Sequence, residues 1–168
     1  MMKNMKFFRY LSFSLEIILL FILNTTPNFL PEVFGATPCL LLSLAMAIAV
    51  FESEVPAMFF GLFCGLLTDI GYSQGVGIFT VSMTIVCFAL GFCANNIITI
   101  KFWNFMLIST VVIASVISLH FVFEYVLRGY SDMGVYYVNH YISRIVQTIL
   151  CVIPLFFANK FIYSTLNN

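Results

Sequence analysis

The chain has 168 residues, of which 62% are hydrophobic, 17% aromatic and only 8% charged. Its mean hydropathy of +1.06 lies far above that of a soluble domain, in which roughly a quarter of the residues are charged. Seven Lys and Arg residues balance seven Asp and Glu residues, so the chain lacks the basic surface that draws proteins to nucleic acid. The composition therefore indicates an integral membrane protein and excludes a nucleic-acid function.

The five cysteines lie within apolar runs, and no two of them have the CxxC spacing typical of metal or redox sites. We interpret them as small buried hydrophobic residues. The amino end carries Lys3, Lys6 and Arg9 ahead of an apolar run, as a signal peptide does. That run is too long for a signal peptide and no small-residue cleavage site follows it, so we predict a first membrane-spanning helix.

Apolar segments along the chain predict its fold class. A membrane-spanning helix needs about 20 mostly apolar residues, and six segments in the single domain 1–168 qualify, although the second is short. The sequence thus predicts an all-α polytopic membrane protein with six transmembrane helices. Their predicted bounds are Phe7 to Leu30, Thr37 to Phe51, Pro56 to Gly71, Gly77 to Ala94, Phe102 to Leu127 and Tyr137 to Ala158.

The connections between these segments are polar or rich in Gly and Pro. Glu52 and Glu54 belong to a predicted turn between the second and third segments, and we assign no function to either. Arg128 to Val135 contains two glycines and is predicted to be a loop between the fifth and sixth segments.

Positive charge predicts the orientation, because cytoplasmic flanks of membrane helices are enriched in Lys and Arg. With six spans and a cytoplasmic amino end, most of the cations lie inside and only Arg128 and Arg144 lie toward the outside. We therefore expect both termini in the cytoplasm. The residues placed inside are Lys3, Lys6, Arg9, Lys101 and Lys160.

A stripe of small residues marks the third segment. Ala57, Gly61, Gly65 and Asp69 are four residues apart and share one side of a helix, and a glycine-rich turn ending at Gly77 follows. The stripe is suited to internal helix packing or to an interface with another membrane protein. Asp69 is suited either to capping the following turn through free backbone amides or to a functional contact.

A group of polar residues is predicted near the outer boundary. Three lie four residues apart on the fifth segment and two share a side of the sixth, so the two polar faces could meet. An unpaired charge in the bilayer is costly, so we expect Arg144 to pair with Glu124 or Asp69 or to extend outward. The group consists of His120, Glu124, Arg128, His140 and Arg144.

Other functions find less support in the residues. His120, Glu124 and His140 could hold a metal ion, but two histidines on separate helices are a weak signal. Glu16 and Glu124 could serve a proton or ion pathway, yet they belong at opposite membrane faces with no acid between them. No catalytic motif is present, so we predict no enzyme, no metal and no cofactor.

The run Gly61-Leu62-Phe63-Cys64-Gly65-Leu66-Leu67-Thr68-Asp69, followed by Gly75-Val76-Gly77, resembles the core of the MreD family of bacterial rod-shape membrane proteins. The family pattern is G-x-x-x-G-L-L-x-D in the third helix, after a second helix preceded by proline. The resemblance extends over about Thr37 to Thr80. Val76 departs from it, since the family usually has leucine before the glycine.

The resemblance implies a non-enzymatic scaffold in the bacterial cytoplasmic membrane. Such a scaffold binds the membrane-anchored protein MreC and, through it, the MreB filament and the peptidoglycan synthases of the elongasome, and so maintains cell shape. MreD-like proteins are also similar in fold to the substrate-binding subunits of energy-coupling-factor vitamin transporters. The alternative function is therefore a vitamin-binding subunit with an outward cavity lined by Tyr125, Tyr130, Tyr136, Tyr137 and His140.

Overall fold

The structure, a computed structural model, describes residues 2–26, 36–72, 77–96, 101–126 and 133–166. Every regular element in this part of the chain is helical, and two π-helical turns, Val122–Val126 and Tyr137–Tyr141, continue α5 and precede α7. The predicted all-α class is confirmed. The helices are α1 (Met2–Thr25), α2 (Leu40–Phe51), α3 (Glu54–Tyr72), α4 (Ile78–Asn96), α5 (Phe102–Phe121), α6 (Met133–Tyr136) and α7 (Ile142–Leu166).

Five helical stretches are long and apolar enough to cross a membrane. Their outer sides carry exposed aliphatic and aromatic residues, as helices in contact with lipid do. The chain is therefore a multi-pass membrane protein. The stretches are Lys6–Thr25, Glu54–Gly71, Ile78–Asn96, Phe102–Val126 and Ile142–Thr165.

The second predicted segment forms a shorter helix than the others. α2 has 12 residues and is about 18 Å long, against about 30 Å for the hydrocarbon core of a bilayer. It begins at Leu40, three residues after the predicted start at Thr37. Every residue from Leu40 to Val50 is buried, including Ala45, Ala47 and Ala49. α2 is apolar on all sides because other helices surround it.

Side chains of α7 satisfy the non-helical backbone before α2. Thr148 accepts a hydrogen bond from the Cys39 amide at 3.1 Å, and Gln147 donates to the Ala36 carbonyl at 3.2 Å. Ser43 donates to the Thr148 carbonyl at 2.9 Å, one turn into α2. Backbone groups at membrane depth need such partners because lipid offers none. These bonds connect the start of α2 to α7.

Contacts between helix ends show how the bundle is arranged. The Arg9 guanidinium near the start of α1 contacts Glu52 at the end of α2 and lies 5.0 Å from the ring centre of Tyr163 near the end of α7. We call this the Arg9 end of the bundle. The opposite end, where Asp69 of α3 meets the start of α4, is the Asp69 end. The first and last helices thus begin and finish at the same end.

Several helix boundaries differ from the prediction. α1 begins five residues before Phe7, and its predicted end at Leu30 lies outside the described residues. α7 continues eight residues beyond Ala158, and Met133–Tyr136 is helical although a loop through Val135 was predicted. Hydropathy locates only the apolar part of a span, whereas the helix continues into the polar headgroup region.

Candidate functional site

The stripe of small residues on α3 packs against α4 of the same chain. A Cβ atom added to Gly61 would lie 2.7 Å from the Cys87 Cβ, and one added to Gly65 would lie 2.5 Å from the Thr80 Cα. Neither distance leaves room for a side chain. We call this contact the α3–α4 seam. Two uses were predicted for the stripe, and the structure shows the first of them, internal helix packing.

Gly91 completes the seam and was not predicted from the sequence. A Cβ atom added there would lie 3.0 Å from the Glu54 Cα and 3.1 Å from the Ala57 Cβ. The signal was present in the spacing of small residues on α4, where Thr80, Thr84, Cys87 and Gly91 follow at intervals of four, three and four. Two complementary small faces allow the backbones of α3 and α4 to approach closely.

Asp69 caps the amino end of α4. Its carboxylate accepts hydrogen bonds from the Phe79 amide at 3.3 Å and the Thr80 amide at 2.9 Å, and from the Thr80 hydroxyl. These amides belong to the first turn of α4, where helix geometry provides no carbonyl one turn earlier to accept from them. Gly77, one residue before α4, has a φ of 67°, a conformation that glycine adopts without strain. The structure thus shows the capping role predicted for Asp69, which accepts from amides 10 and 11 residues later in the chain.

The predicted polar faces of the fifth and sixth segments lie together at the Asp69 end. The His120 ring stacks on Phe79 at 4.5 Å, and its Nδ1 lies 3.4 Å from the Tyr141 hydroxyl. The Arg144 guanidinium lies 5.9 Å from the ring centre of Tyr141, and Glu124 is buried in the π-helical turn that continues α5. The ion pair expected between Arg144 and an acid stays a prediction, and Arg128 lies outside the described residues.

Aromatic rings fill the space beside this polar group. Tyr125 stacks on Tyr136 at 4.5 Å, Tyr136 stacks on His140 at 4.3 Å, and Phe121 meets Tyr137 edge-on at 4.9 Å. The residues proposed to line an outward cavity therefore do come together, but they contact one another. Tyr130 lies outside the described residues. Both π-helical turns lie in this region, and such turns are frequent at functional sites.

A buried ion pair at the Arg9 end was not predicted. Arg9 Nη2 donates to Glu52 Oε2 at 2.9 Å, and Nε lies 2.6 Å from Oε1, with both side chains almost fully buried. Burial raises the pKa of the Glu52 carboxyl, while the charges of Arg9 and Lys6 oppose that rise. In the sequence, Glu52 belongs to a predicted turn and Arg9 to the positive charge that predicts orientation. Because 43 residues separate the two, no local pattern indicates that they pair.

The geometry is that of helix packing held at both ends by polar contacts. Among the residues that the structure describes, no three His, Cys, Asp or Glu side chains come together in a way that would hold a metal ion. The comparisons with known proteins add no relative: no family model, no curated protein and no solved structure matches this chain.

Proposed function

We propose that this protein is a non-enzymatic membrane scaffold of the MreD type, which binds an MreC-like single-span protein and helps couple MreB filaments to peptidoglycan synthases. In this proposal it lies in the bacterial cytoplasmic membrane with both termini in the cytoplasm. The proposal rests on the resemblance of residues 61–69 to the family pattern and on the behaviour of those residues in the fold.

The observation that carries the proposal is that the polar and small residues of G-x-x-x-G-L-L-x-D act as one unit. Gly61 and Gly65 allow α4 to approach α3, and Asp69 caps the same helix at its start. Their four-residue spacing places all three on one side of α3, and α4 is the helix that this side meets. Their joint role supports reading the motif as a family signature.

The distribution of cations supports the proposed orientation. Lys6, Arg9, Lys101 and Lys160 belong to the Arg9 end of the bundle, and Arg144 belongs to the Asp69 end. The positive-inside rule then places the Arg9 end in the cytoplasm. Since α1 begins and α7 ends there, the proposal places both termini in the cytoplasm.

A second side of α3 offers a surface for the membrane helix of the partner. Large apolar residues follow along it at intervals of three and four, each exposed, while the seam side of the same helix is occupied by α4. We call this surface the outer face of α3. In the proposal the single transmembrane helix of the MreC-like protein packs here. The residues are Val55, Phe59, Leu62, Leu66 and Ile70.

Depletion in the rod-shaped native bacterium tests the function. Cells that lose the protein should become round, and wild-type protein supplied from a plasmid should restore the rods. A Gly65→Leu variant should fail to restore them because the α3–α4 seam cannot close, whereas Gly71→Ala should succeed. Depleted cells that keep their rod shape would refute the scaffold proposal.

Co-purification of the MreC-like protein tests the surface. A double variant of the outer face, Phe59→Ala with Leu66→Ala, should recover less partner than wild type. A matched double variant on the exposed side of α5, Leu107→Ala with Val111→Ala, should recover as much partner as wild type. Equal recovery with both variants would mean that the partner packs on another face. The depletion experiment would still test the scaffold function by itself.

One observation favours the alternative of a vitamin-binding transporter subunit, namely the convergence of tyrosines and His140 at the Asp69 end. A bound vitamin would need free ring faces to stack on, but these rings already stack on one another. The scaffold proposal therefore accounts better for their arrangement. Calorimetric titration of the purified protein with water-soluble vitamins separates the two. Saturable tight binding of one vitamin would establish the transporter function instead.

A further inference from the structure

A polar pair joins α1 to α7 within the membrane-spanning part of the bundle. Asn159 of α7 has no exposed surface, and its Nδ2 donates to Glu16 Oε1 of α1 at 3.4 Å. Two oxygens of this same pair, Glu16 Oε2 and Asn159 Oδ1, are buried and have no hydrogen-bond partner. Buried oxygens without a donor are costly, and here both belong to groups that already contact each other.

The orientation of the Asn159 amide is determined by its own helix. Nδ2 also donates to the Leu155 carbonyl at 2.9 Å, and a carbonyl can only accept. Rotating the amide by half a turn would set its oxygen against that carbonyl and against the Glu16 carboxyl. The nitrogen therefore faces Leu155 and Glu16, and Oδ1 remains as an acceptor without a donor.

Among the residues that the structure describes, no cation forms an ion pair with Glu16 to balance a negative charge. α2, which packs against α1, contains no titratable side chain. On α7, Asn159 is neutral and the next residue, Lys160, is exposed. Arg9, on the same helix as Glu16, is paired with Glu52. An ionised carboxylate in this position would lie in an apolar span without compensation.

We propose that Glu16 is a proton-binding site and that its carboxylic acid forms a cyclic pair with the Asn159 amide. In this pair Nδ2 donates to Oε1, and the proton on Oε2 is donated to Oδ1. A single proton then satisfies both oxygens that lack a partner and removes the uncompensated charge. The pair connects α1, whose outer side is largely exposed, to the buried side of α7.

The pair makes the attachment of α1 depend on pH. Ionisation of Glu16 removes the proton that this pair donates to Asn159 Oδ1, and it leaves a carboxylate and an amide oxygen together as two acceptors. Glutamine at position 16 would reproduce the protonated acid at every pH, because its amide group both donates and accepts. Wild-type protein should therefore lose stability as the pH rises, and Glu16→Gln should not.

Thermal unfolding in lipid nanodiscs across a range of pH tests this proposal. At the acidic end Glu16→Gln should match the wild-type Tm, and as the pH rises the wild-type Tm should fall by about 2–4 °C for one lost hydrogen bond while that of the variant stays level. Glu54→Gln is the matched control, a carboxyl at the Arg9 end, and should keep the wild-type pH dependence. Parallel curves for wild type and Glu16→Gln would overturn the proposal.

Infrared spectroscopy provides a readout that does not depend on stability. The spectrum of wild-type protein at neutral pH should contain a C=O stretching band of a protonated carboxyl group that Glu16→Gln lacks and Glu54→Gln keeps. Identical bands in wild type and Glu16→Gln would contradict the proposal. A wild-type Tm that rises with Na⁺ and is unaffected by pH would also overturn it, since a cation would then bridge the two oxygens.

Discussion

At the scale of single residues, the glycines of α3 differ in what surrounds them, although the sequence shows them as equivalent. Gly65 faces backbone atoms of α4, which cannot move without displacing the whole helix. Gly71, six residues later, faces only the side chains of Phe21 and Thr25, at 3.6 and 3.7 Å. A substitution should therefore be severe at the first position and mild at the second.

Gly65→Leu should lower the free energy of unfolding by at least about 1–3 kcal/mol, because a leucine there must push α4 away. Gly71→Ala should leave stability unchanged or slightly raised, since alanine favours helix more than glycine does. Chemical unfolding in mixed micelles measures both variants. A stable Gly65→Leu protein would show that α3 and α4 do not pack as described.

Asp69→Ala should lower the free energy of unfolding by about 0.5–2 kcal/mol, the usual effect of removing a helix cap. Asp69→Asn should have a smaller effect, because its amide oxygen can still accept from the first turn of α4. Hydrogen exchange at the Phe79 and Thr80 amides reports the cap directly and should quicken more in the alanine variant. Unchanged exchange in both variants would contradict the capping role.

At the scale of elements, polar contacts determine which helices are held together. Arg9 and Glu52 connect the start of α1 to the end of α2, and Thr148 connects the start of α2 to α7. Apolar packing alone specifies little in a membrane, because lipid is as apolar as the side chains it surrounds. The central position of the short α2 therefore depends on contacts at both of its ends.

Arg9→Ala should lower the free energy of unfolding by about 3–5 kcal/mol, because it leaves the buried Glu52 carboxylate without its partner. Lys160→Ala, which removes an exposed cation at the same end, should have little effect. Replacing both Arg9 and Glu52 by methionine should be milder than Arg9→Ala. Equal losses in the single and double variants would mean that an unpaired Glu52 carboxylate is not costly, which would contradict the reason given for the effect of Arg9→Ala.

The Arg9→Ala variant should also respond to pH in a defined direction. Burial raises the pKa of Glu52, and without Arg9 the main influence opposing that rise is gone. A group whose pKa is raised by folding stabilises the fold at low pH and loses this contribution as the pH rises through its folded value. The Tm of Arg9→Ala should thus come closest to that of wild type in acid. A deficit that grew in acid would be inconsistent with this ionisation.

At the scale of the whole molecule, α1 begins and α7 ends at one end of the bundle, and the described cations lie mainly at that same end. Cytoplasmic flanks of membrane helices are enriched in such charges, which supports the proposed orientation with the Arg9 end in the cytoplasm. In that proposal the polar and aromatic group around His120 faces the outside. The α3–α4 seam would then cross the membrane between a cytoplasmic ion pair and an outer helix cap.

Labelling with a membrane-impermeant maleimide tests this orientation. A cysteine introduced at Gly134, an exposed position with open space around it, should react in intact cells. One introduced at Lys101 or Lys160 should react only after the membrane is opened. Wild-type protein, whose own cysteines are buried or half-buried, measures the background. Reaction at Lys160 in intact cells would place the carboxyl end outside.

Local sequence patterns determined the helical class, the approximate position of each span, the small-residue stripe and the capping acid. A span and a stripe are properties of about 20 consecutive residues, so hydropathy and four-residue spacing are enough to detect them. The Gly77 turn and the following α4 are likewise encoded close by, within ten residues of Asp69.

Only the tertiary structure decided which surfaces meet. The stripe packs on α4, α2 lies at the centre, and polar pairs join residues that are 43 and 143 positions apart. Hydropathy cannot distinguish an apolar residue that faces lipid from one that faces another helix, because both environments are equally apolar. The partners of Arg9 and Glu16 therefore follow from how the helices are arranged in space, and no pattern within a single helix reveals them.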